Sequence, residues 1–291
     1  MVGNLLLGEW RKVNGNRITT IMFIWIAPIG ALMMMGLIIL IAAFSEEART
    51  NMARGQLQPW NETFLFGWLL VNNEIGRYII AAFTAIVFAG EYQFGTWKNF
   101  VPYRRRTTLL LTKFAVIGVL VLVAWVSMTL IIGFGFLILG QILGADSGAV
   151  NGDILRDFLG DYALQMALTL SATLIAACYA ALAAMFTRST IASFFVAVII
   201  SIAETGILLP ISIIYQFFRV NLFALYTYTP SFNLFNIQSL VQSGRQMSAP
   251  AVPGTVTPSH SLETSLLIIV IWVFVLLGVT LWRFNRQDIT T

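Results

Sequence analysis

Glu91, Phe94, Gly95, Thr96, Lys98, Pro102, Arg104, Arg105 and Arg106, with Lys113 beyond them, bring a carboxylate, a turn-capable glycine and a cationic cluster into one short polar stretch. Those groups can form ion pairs and dock another protein, but they hold no nucleophile with an adjacent base. The basic run also suits a topology signal held to anionic lipid, so both readings stay open. Further along, Ser201, Glu204, Thr205 and Ser212 fall on one helical face of an apolar run. A charge there is costly in lipid, so Glu204 is expected to face protein or water. Either it lines a pathway or subunit interface, or it is a protonated, hydrogen-bonded structural glutamate. Asp153, Asp157 and Asp161 repeat every four residues, a pattern that reads as a solvated face before it reads as a cation site.

Other chemistry is missing. The single histidine, His260, lies in a Pro/Ser-rich stretch and cannot build a His-rich metal site. No G-x-S-x-G elbow occurs, and the single cysteine, Cys178, is far in sequence from His260. Lys12, Lys98 and Lys113 follow Arg11, Trp97 and Thr112, whereas a phosphate-binding P-loop needs Gly-Lys. Gly133, Gly135 and Gly140 lack the spacing of a dinucleotide fingerprint. Hydrolysis within this chain is therefore unsupported, and no metal or cofactor is expected on it.

The elements that position these residues are membrane helices. Only 10% of the 291 residues are charged, 58% are hydrophobic, and mean hydropathy is +0.83, far from the roughly 25% charge of soluble domains. Apolar runs predict an all-α membrane protein of a single membrane domain, with six spans near residues 18–44, 74–93, 109–143, 162–186, 191–218 and 262–282. The first is too long for the h-region of a signal peptide and carries no cleavage site. The second is the shortest. Arg77 to Glu91 covers only about 20 Å of helix against a core of about 30 Å, unless Arg77 snorkels outward. Residues 1–17 suit an interfacial helix. Residues 45–77 read as a polar outer loop with Trp60 and Trp68 as interfacial anchors, and residues 146–161 as an acidic outer loop. Residues 219–261 suit short helices dipping into the outer leaflet, followed by a Pro/Ser/Gly-rich surface loop. Ala172, Ala176, Ala180 and Ala184 form a small-residue face suited to close helix packing.

Charge orients this plan. Arg11, Lys12, Arg17, Lys98, Arg104, Arg105, Arg106, Lys113, Arg188, Arg283 and Arg286 fall on one side in short loops. The longer loops of the other side hold only Arg49, Arg54, Arg77, Arg156, Arg219 and Arg245. The positive-inside rule then puts both termini in the cytoplasm, in a cell membrane. The net charge of +4 is read by the same distribution as a membrane-surface feature, not a nucleic-acid one.

The order Glu91, Gly95-Thr96, Lys98, Pro102, Arg104 and Lys113 resembles the E-x-x-x-G-T…P-x-R…K signature of ABC transporter type-2 permeases. Arg283-Phe284…Arg286…Asp288-Ile289 is similar to that family's ending. The resemblance implies two permease subunits on two separate ATP-binding-cassette subunits, with ATP and Mg on those partners. It implies a coupling helix near residues 94–106, an N-terminal connecting helix, and export. An ATPase-independent secondary transporter or channel, and a non-transporting scaffold subunit, are the competing classes. The first lacks a visible inverted repeat. Substrate is not encoded in any of these features.

Overall fold

A computed structural model describes residues 2–55, 58–100, 105–146, 148–248 and 259–287. Pro102, Arg104, Asp288 and Ile289 of the signature lie outside the described residues. Described elements are helical apart from one isolated bridge between Ser248 and Ser259. Helix α1 (Val2–Gly15) leads through a corner, where Thr20 Oγ1 donates to the Val13 carbonyl at 2.9 Å, into α2 (Arg17–Thr20), a π-helical turn (Ile21–Trp25) and α3 (Ile26–Phe44). Pro28 offers no N–H to the carbonyl four residues earlier, at Ile24, which accounts for the widened turn there. Arg17–Phe44 is one span by length and hydropathy.

Residues 45–77 are not a loop. After α4 (Glu46–Ala53), α5 (Trp60–Val71) packs across α8 (Arg106–Leu143). Its twelve residues are too few to cross a bilayer, so the composition hid a buried helix. Trp68 is fully buried, edge-on to Tyr162 with ring centres 5.3 Å apart, and so is no interfacial anchor. Gly133 makes the approach feasible: a Cβ there would lie 2.3 Å from the Phe64 ring.

Helix α6 spans Glu74–Gln93, matching the expected short second span. Arg77 does not snorkel; it is 3% exposed and faces protein. The turn α7 (Trp97–Phe100) follows, and then α8 and α9 (Gly152–Thr187), at 38 and 36 residues. Each is about 54–57 Å long, well beyond the hydrocarbon core. The predicted acidic loop is mostly the first turns of α9, where Asp153 and Asp157 are exposed. Around α9 pack α6, α10 (Thr190–Gly206) and α14 (Leu262–Arg286). Ala172, Ala176, Ala180 and Ala184 are all buried on it.

The fifth span is broken. α10 and α11 (Leu208–Phe218) meet at Ile207 with a 41° bend. Pro210 cannot donate to the Gly206 carbonyl, and its ring crowds that group, which explains the site of the break. Among the described residues, five single helices, with the bent pair as a sixth, are long and apolar enough to cross a membrane. Between α11 and α14 lie α12 (Phe223–Tyr226) and α13 (Pro230–Ser243). Ile211, Phe223, Tyr226 and Phe232 form a second apolar cluster, separate from the main core. Residues 249–258, most of the predicted surface loop, are outside the described residues.

Candidate functional site

Two ionic centres lie at different depths along α6, 14 residues or about 21 Å apart. The near one is built on the end of that helix. The Gly95 N–H bonds the Tyr92 carbonyl at 3.2 Å and the Thr96 N–H bonds the Glu91 carbonyl at 3.0 Å. With Gly95 at φ +62°, this is a Schellman stop. The Thr96 hydroxyl also donates to the Glu91 carboxylate. The G-T spacing after Glu91 is thus a helix terminator that fixes the carboxylate's direction.

Glu91 Oε1 then accepts from Lys113 Nζ at 2.7 Å and Lys12 Nζ at 2.5 Å. Lys113 also donates to Glu9 at 2.9 Å. Lys12, Glu91, Lys113 and Glu9 alternate in sign, so the charges balance where Glu91 is 5% and Lys113 1% exposed. Lys113 also stands over the Trp97 ring, 5.5 Å from its centre, a further cationic stabilisation. A buried pair of this kind specifies an arrangement more than it stabilises one. Here it joins α1, α6 and α8.

The expected partners of Glu91 were Lys98 and the arginines. The structure gives it Lys113 and Lys12 instead, because those ammoniums sit on helices flanking α6 while Lys98 and Arg105 are exposed. Phe94 is 82% exposed at the turn. Arg106 points elsewhere, donating to the carbonyls of Phe284 (3.2 Å), Asn285 (3.0 Å) and Gln287 (2.6 Å) at the end of α14. Gln287 accepts from Tyr92 Oη at 2.7 Å and donates to the Met185 carbonyl at 3.1 Å. Trp97 packs on Phe284 with ring centres 4.8 Å apart. The ends of α6, α8, α9 and α14 are therefore tied together beside α7.

At the deeper centre, Glu204 accepts from the Tyr179 hydroxyl and from Ser231 Oγ (2.5 Å). Arg77 donates to the same Ser231 at 2.8 Å and lies 3.7 Å from Glu204. Glu74 lies 4.0 Å from the guanidinium, and Phe235 lies beneath it at 5.6 Å. Among the described residues, Arg77 Nε and Nη2 have no hydrogen-bond partner. Four helices, α6, α9, α10 and α13, contribute to this knot. The polar face predicted around Glu204 does not act as one stripe. Ser201, Thr205 and Ser212 return their hydroxyls to carbonyls of their own helices, and the bend at Ile207 separates Ser212 from the rest.

A family model described as ABC-2 family transporter protein matches residues 5–204. The chain belongs to that family. No curated protein matches it. The matched stretch takes in the near centre whole and ends at Glu204 itself, whereas Ser231 and the α14 contacts lie beyond it. This ABC-2 protein is thus a multi-pass membrane permease of the ABC transporter class. Sequence reasoning missed Glu9, Lys12, Tyr179 and Ser231 as partners. Glu9 and Lys12, three apart on one helix face, offered a signal; Tyr179 and Ser231 offered none. No group of three or more His, Cys, Asp or Glu residues suited to a metal occurs among the described residues.

Proposed function

We propose that this ABC-2 permease is the membrane-spanning subunit of an ATP-driven exporter, with hydrolysis on separate ATPase subunits. It works as a dimer with two ATPases that hold ATP and Mg, its termini cytoplasmic, and moves its cargo outward by alternating access. The observation that carries this is the near centre: a rigid helix stop, gripped by two lysines from flanking helices, immediately ahead of the short helix α7, whose Trp97 is buried against Phe284 while Lys98 is exposed. Phe94 and Lys98 are exposed there, and Arg105 follows. A push on that element reaches α6 and α8 through Glu91 and Lys113, and α14 through Trp97, Phe284 and Arg106. Glu91 is a positioning residue for coupling.

The test is co-expression with a P-loop ATPase, purification of the complex, and spin-label distances across α8 and α14 with ATP and vanadate. Wild type should show a nucleotide-driven distance change. Glu91→Gln should assemble with the ATPase yet lose most of that change. Recovery of the chain without any ATPase, combined with ATP-independent flux in liposomes, would support a secondary transporter or channel; a stable complex lacking both flux and movement would support a scaffold.

A further inference from the structure

Beside the near centre a cavity of about 210 Å³ opens between the α1–α2 corner and α6. Its walls change character along the helix axis. At one end stand Lys12, Asn16, Thr19 and Thr96; at the other, Phe83, Ile86 and Val87. Gly90 leaves its side open, since an added Cβ would meet only the Phe94 ring, at 4.0 Å. From Gly90 to Phe83 is about 10 Å along α6. The polar end coincides with the amphipathic corner and the apolar end points into the span, the same order of polarity as a phospholipid in a leaflet.

Charge selects the head group. The lining ionisable groups Lys12, Lys113 and Glu91 are balanced once Glu9, bound to Lys113, is counted with them, so the excess positive charge of this corner comes from beside the lining. Arg17, exposed, follows the lining Asn16. We propose that this cavity holds one anionic phospholipid, with its phosphate among Lys12, Asn16 and Thr19 and one acyl chain laid along α6 toward Phe83. The lipid sits against the carboxylate that positions α7, so membrane composition acts on that corner. The proposal needs only the membrane placement of the chain, so its failure leaves the ATPase reading untouched.

The experiment is native mass spectrometry of the chain released from nanodiscs of equal phosphatidylglycerol and phosphatidylcholine. One phosphatidylglycerol should be retained with at least about tenfold preference. Lys12→Gln should lower that preference about fivefold, as removal of one cation near a surface phosphate implies. Ile86→Trp, which fills the apolar end, should lower retention of both lipids. Where Lys12→Gln does not elute as a folded species, Asn16→Asp takes its place and should lower the preference by repulsion. Equal retention by the wild type, a preference unchanged by the head-group variant, or retention unchanged by Ile86→Trp would each overturn the site.

Discussion

Removing Arg77 and Glu204 singly and together reveals whether the deeper centre acts as a unit. At 3.7 Å, two unit charges attract by about 4 kcal/mol at an effective dielectric of 20. Glu204→Gln keeps partners for Tyr179 and Ser231 but strands a guanidinium that is 3% exposed. Glu74, at 4.0 Å and 36% exposed, compensates it weakly. Breaking such a pair costs about 3–5 kcal/mol, so about 3 kcal/mol is expected here. Arg77→Met should cost about 2 kcal/mol, less because the Tyr179 and Ser231 hydroxyls still donate to the carboxylate left behind. The double variant leaves no stranded charge and should cost only about 1.5 kcal/mol, a coupling of about 3.5 kcal/mol. Unfolding in mixed micelles followed by tryptophan fluorescence measures all four corners of the cycle. Additivity of the singles to within about 0.5 kcal/mol would refute the pairing.

Other consequences are as direct. Gly95→Ala places a side chain at φ +62° and should cost about 1–2 kcal/mol, with Gly95→Asn recovering most of it, in the same unfolding assay. Gly133→Ala drives a methyl into the Phe64 ring, so α5 should lift from α8 and be cut faster by protease, at a cost of about 1–3 kcal/mol. Gln287→Ala should raise amide exchange in the last turns of both α9 and α14, because it removes the bonds to Tyr92 and Met185. Burial depresses the pKa of His260 below its usual 6.5, and its Nδ1 meets Asn233 Oδ1 at 3.2 Å. The folded state therefore binds fewer protons than the unfolded one, and stability is lost as pH falls below about 6.5. Amide protection around residues 259–261, taken relative to the intrinsic exchange rate at each pH, should fall there in wild type and stay constant in His260→Gln.

What the sequence disclosed depended on whether a signal was local. The α6 limits were readable because Asn73 and Glu74 mark one end and the Gly95-Thr96 stop marks the other. The break of the fifth span was readable in part, since Pro210 names the carbonyl that goes unpaired. Helix α5 was not, because its twelve residues are too few to read as a span and its polar first turn, Asn61 to Thr63, reads as a continuation of the polar stretch before it, and only the notch at Gly133 marks it as a packed helix. The partners of the buried charges were least legible. Arg77 meets Glu204 and Ser231, which lie 127 and 154 residues away, and no short-range periodicity reports such a pairing. Proximity in sequence misdirected the reading of Glu91 toward Lys98 and the arginines. Lys113, part of the same signature, is its true partner because two turns of α8 carry it back beside α6.

Helix α8 runs 38 residues without a break, from Arg106, bound to the end of α14, past Lys113 and Thr129 to a glycine stop at Gly144. A stiff rod of about 57 Å turned by about 5° at its Arg106 end sweeps its other end through about 5 Å. Helix α5, notched into it at Gly133, rides on that arm. Under the proposed coupling, α8 would work as a lever with its fulcrum among the lysines, gearing sub-ångström work at the α7 corner up into displacements the size of a side chain at its far end.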